Sequence, residues 1–447
     1  MIGTKSADVR VYFDASRLLS RANATPTGID RVDLAYVKAL SGMPGFDLRL
    51  ITFDAFGPRL LRRQQTKNLI NARTQRWQAG AGATPDDGAG PAFQRLSQWL
   101  QSPAGTPRPA AETRVRRPMS GDSSGLFLAA LGSSRDAVLS ERVHGRPQSV
   151  PAVYLNTSHG RLFRKAVSRW LRATQIGAVF FVHDLIPIEF PQFNRAQEPV
   201  RHAARLETVS AYAHHVLVNS EATRSALVSY LGGRQRRVPP VSVLPLGVES
   251  RFSHADGLAD LRPSVPYFVV LGTIEPRKNH QLLLQVWRNW IEAGEATVPR
   301  LVVLGRRGWE NDSVFNILDR STLLSGHVAE CSGLGDAEVS ALLRGARALL
   351  CPSFAEGYSL PVAEALASGT PVIASAIAVH REVGGPYAEY LHPADAAAWQ
   401  LALKDYAAEP SPRRDGRLAR LLESRPPDWN AHFMQAAAVL RDAASYP

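Results

Sequence analysis

Two glutamates, Glu356 and Glu364, lie in the stretch ALLCPSFAEGYSLPVAEALASGTPVIAS, which runs from Ala348 to Ser375. The pattern predicts a strand, a loop that contains Glu356, a helix and a second strand. Pro361 suits the first turn of that helix, because proline has no N–H and its φ is fixed. The amides near the helix start would then point outward, where open parallel sheets hold phosphates. The stretch therefore predicts an anion site flanked by two carboxylates that could bind sugar hydroxyls.

The predicted helix start is formed by Tyr358, Ser359 and Leu360, whose amides are the candidate phosphate donors. The alternative is that the glutamates are only a capping carboxylate and a surface helix residue, which is the commoner role of a glutamate pair. The close succession of strand, loop and helix favours the phosphate site over this alternative.

A second chemical pattern is YFVVLGTIEPRKNH, which begins at Tyr267. A buried strand runs into a turn at Gly272 and Thr273, and the adjacent cations Arg277 and Lys278 follow. A guanidinium and an ammonium beside a departing diphosphate would stabilise the charge that grows in the transition state. A solvated surface pair is the alternative, but the glycine turn directly after the strand favours a diphosphate loop.

The stretch around the two glutamates resembles, nearly residue for residue, the E-x7-E motif of retaining glycosyltransferases of family 4, which have the GT-B fold. In that family the first glutamate contacts the donor sugar and the second binds the nucleotide ribose. The resemblance implies these roles for Glu356 and Glu364, and it identifies the turn at Gly272 as the donor-phosphate loop. It covers residues from about 265 to 401. The family commonly has glycine where this chain has Ser359, a departure that could alter contacts with the donor sugar.

The N-terminal half contains two weaker candidates for the acceptor side. Gly28, within TPTGIDR, allows a tight loop before a helix and resembles the family's first glycine loop, although an N-cap turn explains it nearly as well. His183 ends a predicted strand in FFVHDLIPIEFP, and the resemblance places it near the reacting sugar. A structural, hydrogen-bonded histidine is the alternative. His159 and Ser220 also follow strands, and Ser220 is equally suited to be an N-cap.

Alternating strand and helix patterns predict an α/β fold with two doubly wound, Rossmann-like domains of the GT-B type facing a cleft. We expect an acceptor domain over 1–247, a linker over 248–265, a nucleotide-sugar domain over 266–425, and a helix over 426–447 that packs back on the first domain. Residues 61–149, rich in Gly, Pro, Ser and Ala, are expected to be a partly ordered insertion. The ten predicted strands are Val9–Phe13, Asp47–Phe53, Ala152–Asn156, Ala178–Val182, His215–Val218, Val241–Leu244, Tyr267–Leu271, Leu301–Leu304, Ala348–Cys351 and Pro371–Ala374.

The amino-acid composition indicates which kinds of ligand and which cellular compartment suit the protein. The 447 residues carry 52 basic and 40 acidic side chains, a formal charge of +12 that favours anionic ligands. Two cysteines, Cys331 and Cys351, exclude a disulfide framework or a four-cysteine zinc site and suit a reducing compartment. We find no signal peptide and no apolar run of about 18 residues, so a cytoplasmic location is expected. A basic series from Arg59 to Arg76 suggests peripheral contact with anionic lipid at the inner membrane face, or a solvated helix.

These observations lead to a retaining, metal-independent hexosyltransferase as the leading functional hypothesis. It would move a hexose or deoxyhexose, with mannose favoured, from a nucleotide diphosphate sugar to a glycan or lipid-linked acceptor in surface polysaccharide or lipopolysaccharide synthesis. No D-x-D triplet occurs, so no metal or other cofactor is expected. The family suggests front-face attack, with the leaving phosphate accepting the acceptor's proton. Another GT-B enzyme, such as a sugar-phosphate synthase or nucleotide-sugar epimerase, is the alternative; a nucleic-acid-binding protein and a non-catalytic sugar-binding member are more distant ones.

Overall fold

The computed structural model describes residues 8–21, 26–54, 56–79, 89–109, 139–143, 150–253, 258, 261–295 and 297–445, without the side chains of 76–79 and 139–142. The described residues form two compact domains. The first contains those within 1–75, 116–246 and 429–447, and the second contains those within 76–115 and 247–428. Among the described residues, no helix is both long and apolar enough to cross a membrane.

The first domain has one sheet with eight strands over the described residues, in the order β4-β3-β2-β1-β5-β6-β7-β8. The strands from β2 through β1 to β8 are parallel, while β3 pairs antiparallel with β2, and β4 pairs antiparallel with β3. The strands are β1 Val9–Asp14, β2 Phe46–Asp54, β3 Gly57–Leu61, β4 Leu139–Arg142, β5 Ala152–Asn156, β6 Gly177–Val182, β7 His215–Val218 and β8 Val241–Val243.

Helices cover this sheet, as expected for a doubly wound domain. They are α1 Ser16–Ser20, α2 Gly28–Gly42, α3 Arg63–Ala79 (which runs into the second domain), α5 Lys165–Thr174, α6 Ile186–Glu189, α7 Glu198–Tyr212, α8 Glu221–Gly232 and α16 Trp429–Ala444; α4, Pro91–Gln101, belongs to the second domain. The central strands β5 and β6 are buried along their whole length, which accounts for their runs of apolar residues. Edge-to-face contacts join Trp170 of α5 to Phe53 and Tyr154 in this core.

The C-terminal helix α16 completes the first domain by packing against β6. Its His432 bonds the carbonyl of Pro245 and the hydroxyl of Tyr36, at 2.9 Å each. The backbones of helix and strand come so close at Gly177 that an added Cβ would lie 1.8 Å from the carbonyl oxygen of Ala443. Glycine is therefore required where this helix crosses the strand.

Gly177→Ala is expected to destabilise the protein by about 3 kcal/mol, because the new methyl group forces α16 away from the sheet. Gly416→Ala is the matched control, since Gly416 lies in a helix with open space around it and alanine there should stabilise by roughly 0.5–1 kcal/mol. Urea unfolding of both variants measures the difference. Equal stabilities would show that α16 does not depend on this close approach.

The second domain has a sheet with six strands over the described residues, in the order β11-β10-β9-β12-β13-β14, and all its pairings are parallel. The strands are β9 Tyr267–Leu271, β10 Arg300–Leu304, β11 Val328–Cys331, β12 Leu349–Cys351, β13 Val372–Ser375 and β14 Glu389–Leu391. Besides α4, its helices are α9 His280–Glu292, α10 Asp312–Arg320, α11 Asp336–Gly345, α12 Leu360–Ala367, α13 Ala378–Gly384, α14 Ala396–Ala407 and α15 Pro412–Leu421.

The prediction of two Rossmann-like domains is confirmed. All ten predicted strands are present, and each of their ends lies within one residue of the predicted position. Four strands were not predicted: β3, β4, β11 and β14. Each has five residues or fewer and lies at or next to a sheet edge, so its apolar pattern is too short to stand out from the flanking loops.

The structure corrects the expected domain boundaries. Residues 61–149 were assigned to the first domain, yet the described part of 76–115 belongs to the second. Helix α4 is amphipathic and buries four apolar side chains in the second domain's core: Phe93, Leu96, Trp99 and Leu100. The expected linker over 248–265 also contributes to this core through Phe252, which is buried beside Tyr267. The parts of the insertion at 80–88, 110–138 and 144–149 lie outside the described residues.

Arg300, which is fully buried in β10, is one of the side chains that hold the inserted segment. Its guanidinium donates to the carbonyl of Trp99, to Ser102 Oγ at 3.1 Å and to the carbonyl of Pro103 at 2.8 Å. It also stacks 4.5 Å from the Trp99 ring. These acceptors compensate for burial of the charge and fix the segment to the second sheet.

Candidate functional site

The structure brings Glu356 together with both cations of the second motif. Glu356 lies in the loop after β12, and Arg277 and Lys278 lie in a 3-10 turn, Pro276–Lys278, that follows β9. Glu356 Oε2 is 2.5 Å from Arg277 Nη1, and Oε1 is 2.5 Å from Lys278 Nζ. Ser353 Oγ also donates to Oε1, at 2.7 Å. Two segments that are almost 80 residues apart in the sequence thus form one charged cluster at the carboxyl edge of the second sheet.

This cluster keeps Glu356 ionised. Burial alone would raise the pKa of the Glu356 carboxyl, but Arg277 and Lys278 hold it well below its usual range. The two cations are themselves mostly buried, and Arg277 additionally pairs with Glu275 at 2.6 Å. A carboxylate with a lowered pKa can accept hydrogen bonds from hydroxyls but has no proton to donate near neutral pH.

The turn at Gly272 and Thr273 lies against Lys278. Gly272 has a φ of +141°, and a Cβ there would lie 3.4 Å from Lys278 Cε. A Cβ at Gly305 would lie only 1.8 Å from the Gly272 carbonyl oxygen, so the neighbouring strand end approaches the turn closely. The glycine-rich backbone therefore places the Lys278 ammonium directly over the turn that follows β9.

Helix α12 begins at Leu360, directly after the loop that contains Glu356. Pro361 lies in its first turn, as the sequence predicted. Ser359 precedes it with a φ of +74°, a left-handed conformation that favours glycine and explains why the related motif commonly has glycine there. Tyr358 and Glu364 are both mostly buried on this element. The loop of Glu356, the start of α12 and Glu364 thus follow β12 in succession, and the cations that follow β9 pair with the carboxylate of that loop.

Two charged or titratable neighbours of this cluster were missed in the sequence. Glu275 is buried and pairs with Arg277, and its signal was its place in EPRK directly before the cations. His380, in α13 after β13, lies close enough to Glu356 for each to affect the other's charge. Its Nδ1 donates to the carbonyl of Ser375 at 3.0 Å, and burial lowers the pKa of His380 to about 4. A histidine five residues after a strand end gave no distinctive sequence signal.

His183 lies in the first domain, immediately after β6, and is buried. Its Nε2 donates to the carbonyl of Thr157 at 2.6 Å, and its backbone N–H donates to His159 Nε2 at 3.1 Å. Its ring stacks on Phe181 with a centroid distance of 4.6 Å. Burial lowers the pKa of His183 to about 4, so the imidazole is neutral at physiological pH.

The other first-domain candidates have clear structural roles. Gly28 begins α2, where Thr27 and Asp30 form a capping box, and Arg17 and Arg21 pair with Asp30. The N-cap explanation therefore accounts for the local geometry of this loop. Ser220 is the N-cap of α8, because its hydroxyl accepts from Thr223 N at 3.1 Å.

The basic series from Arg59 to Arg76 is partly paired. Arg59 contacts Asp54 and Arg63 contacts Asp47, while the side chain of Arg73 is buried.

Both cysteines are free thiols, and Cys351 is buried. Over the portion of the chain that the structure covers, no group of three or more His, Cys, Asp or Glu side chains is arranged to hold a metal ion.

Comparison with known proteins gives three results. Residues 260–416 match the family model described as glycosyl transferases group 1. The serotype-specific mannosyltransferase WbdA of Escherichia coli is 27% identical over an alignment of 277 residues that covers 57% of this chain and 33% of WbdA. O-antigen chain mannosyltransferase B of Escherichia coli is 30% identical over 163 residues, 36% of this chain and 42% of that protein. The chain thus spans about a third of the length of the WbdA relatives.

Solved structures resemble the chain in fold. A sucrose-phosphate synthase from Thermosynechococcus elongatus has a TM-score of 0.55 at 15% identity and covers 97% of this chain and 98% of its own. Anabaena HepE in complex with UDP-glucose has a TM-score of 0.52 at 14% identity, covering 65% and 78%. The two parallel-sheet domains therefore define a protein of the GT-B fold class. Within that class, residues 260–416 are similar to the glycosyl transferases group 1 family.

Proposed function

We propose that the protein is a glycosyltransferase that moves a hexose, with mannose favoured, from a nucleoside diphosphate sugar to a glycan or lipid-linked acceptor in surface polysaccharide synthesis. The observation that supports this most directly is the cluster of Glu356, Arg277 and Lys278 beside the start of α12. Such a cluster offers cations for a diphosphate and a carboxylate for sugar hydroxyls. The mannosyltransferase names of the relatives support mannose as the transferred sugar.

In this proposal, Arg277 and Lys278 exchange part of their contact with Glu356 for the diphosphate of the donor. The negative charge on the leaving phosphate grows as the glycosidic bond breaks, and cations fixed beside it stabilise that transition state. Glu356 orients the sugar, Glu364 binds the ribose, and the amides at Tyr358, Ser359 and Leu360 bind phosphate oxygens. Two side-chain cations supply the charge that a bridging metal provides elsewhere, so the reaction is proposed to need no metal.

Retention of the anomeric configuration is also proposed. A two-carboxylate scheme needs one carboxyl group with a raised pKa to protonate the leaving group. Glu356 does not fit that acid role, because its paired cations lower its pKa. We therefore propose front-face attack, in which the bond from the sugar to the leaving phosphate breaks, that phosphate takes the proton of the acceptor hydroxyl, and the new glycosidic bond forms on the same face.

A cytoplasmic location is proposed because the two cysteines are both free thiols, as suits a reducing compartment. Contact with anionic lipid is proposed for the exposed arginines of the series from Arg59 to Arg76, of which Arg63 has a largely exposed side chain.

A donor panel tests the function. We expect one of GDP-mannose, UDP-glucose, UDP-N-acetylglucosamine and dTDP-rhamnose to raise the melting temperature of the wild type, because a ligand that binds only the folded state stabilises it. GDP-mannose is the expected one. With that donor and an oligomannoside acceptor, NMR of the product should show the anomeric configuration of the donor. If no donor stabilises the protein at millimolar concentration, the proposal is wrong; an inverted product would overturn retention alone.

A further inference from the structure

A chain of buried hydrogen bonds links α2 to His183 in the first domain. Thr157 Oγ1 donates to Asp33 Oδ1 at 2.6 Å, and the Thr157 carbonyl accepts from His183 Nε2 at 2.6 Å. The three residues are almost completely buried. Thr157 therefore joins a carboxyl group on a helix to the histidine that follows β6.

Asp33 has no compensating cation in this chain of bonds. Its Oδ2 is buried and has no hydrogen-bond partner among the residues that the structure describes. The charged groups that face it are Arg17 of α1, Asp30 one turn earlier on α2 and Asp14 of β1, so one cation is opposed by two carboxyls. Burial raises the pKa of Asp33 to about 8, which means that its carboxyl carries a proton at neutral pH. A buried polar atom without a partner reduces stability, so Oδ2 makes this aspartate costly to the fold, while Oδ1 holds Thr157.

The same bonds determine the tautomer of His183. A carbonyl oxygen can only accept, so the bond to Thr157 places the ring proton on Nε2. Nδ1 then carries the lone pair and is the hydrogen-bond acceptor of the ring. The titratable and charged groups near His183 are Asp184, Arg17, His432 and His159. Because His159 accepts from the His183 backbone N–H, it leaves the side-chain tautomer unaffected.

We propose that Asp33 is a positioning residue: its carboxyl holds Thr157, whose carbonyl fixes His183 with Nδ1 ready to accept a hydrogen bond from the acceptor hydroxyl. This inference rests on the proposed glycosyltransfer function. Loss of the hydrogen bond to Asp33 would free the Thr157 side chain to shift, and with it the carbonyl that sets the tautomer of His183.

The first test compares the wild type with Asp33→Asn, Asp33→Ala and Thr157→Val. The amide oxygen of asparagine can accept the Thr157 hydroxyl as the carboxyl does, so Asp33→Asn should keep kcat within about threefold. Asp33→Ala and Thr157→Val remove this hydrogen bond and should lose tenfold or more in kcat, with the donor KM unchanged. A tenfold loss in Asp33→Asn, or an unchanged kcat in Asp33→Ala, would overturn the proposal.

A second readout needs no turnover and keeps this inference separate from the proposed function. ¹⁵N NMR of histidine-labelled protein, with the His183 signals assigned from His183→Asn, should show the Nε2–H tautomer in the wild type and in Asp33→Asn, and a mixture of tautomers in Thr157→Val. A tautomer mixture in the wild type would contradict the proposal even if transfer is active. If no donor is used but the expected tautomers are found, it is the proposed function that fails, and with it the role of His183 Nδ1 toward an acceptor hydroxyl.

Discussion

Lys278→Met is expected to reduce kcat for sugar transfer by about 10²–10³-fold, the effect typical of removing one preorganised group that stabilises transition-state charge. Methionine keeps much of the length of the side chain but removes the ammonium that lies 2.5 Å from Glu356 Oε1. The donor KM should change much less than kcat, since the charge on the phosphate grows mainly in the transition state. Steady-state kinetics with saturating acceptor measures both constants.

The matched control is Lys404→Met, which removes a surface lysine that pairs with Glu295 and is 37% exposed. It should leave kcat unchanged, because exposed pairs contribute little. Lys278→Met also leaves Glu356 with one cation fewer in a buried site, so it should lower the free energy of unfolding, by up to about 3 kcal/mol. Adding Glu356→Gln should recover much of that stability but none of the activity. Equal kcat values for Lys278→Met and Lys404→Met would refute a role for the ammonium in the reaction.

Glu364→Ala is expected to weaken binding of the nucleotide sugar by about 10–100-fold, since hydrogen bonds to a charged group contribute roughly 1.5–3 kcal/mol. Glu364 is 7% exposed and lies in the second turn of α12. If it binds the ribose, the loss should be as large for the nucleoside diphosphate as for the complete donor. Titration calorimetry with both ligands gives the two affinities.

Glu292→Ala serves as the control, because its side chain is 49% exposed at the end of α9 and pairs with Arg288 one turn away. Its donor affinity should equal that of the wild type. If Glu364→Ala binds the nucleoside diphosphate normally and loses affinity only for the sugar nucleotide, Glu364 contacts the sugar and not the ribose.

The acid side of the stability profile follows from the same cluster. The pKa of Glu356 is lowered in the folded protein, so its contribution to stability is complete above the ordinary glutamate pKa and is lost as the pH falls toward the folded value. Glu356→Gln should flatten the loss of stability below about pH 4.5, which thermal unfolding across pH 3–7 would detect.

The parts of the fold that could be predicted are those whose signal is local. Strands such as β5 and β9 are short runs of apolar residues because they are buried on both faces. The cation pair and Glu356 could be assigned to one site because a strand followed by a polar loop places its residues at the carboxyl edge of a sheet. For Gly28 the same reasoning allowed two interpretations, a glycine loop of the site and an N-cap turn. The capping box of α2 supports the N-cap turn.

The parts that could not be predicted depend on contacts between distant segments. The amphipathic pattern of α4 indicates a helix, but nothing in it specifies which domain receives its apolar face. Arg300 is a charged residue in a buried strand, and its acceptors lie about 200 residues earlier in the chain. His380 is similar, because its proximity to Glu356 arises only when β12 and β13 pair.

The inserted segment also bears on how the protein is made. Helix α4 is synthesised before any strand of its own domain. The carbonyl of Trp99 can bond Arg300 only after a further 201 residues have been synthesised. At a synthesis rate of roughly 5–20 residues per second, that delay is about 10–40 s. During this time the core of the second domain has not formed. Its later members Phe93, Leu96, Trp99 and Leu100 therefore cannot yet be buried there. The second domain can therefore close only late in translation, and a fragment cut to begin at β9 would lack both α4 and the acceptors of Arg300.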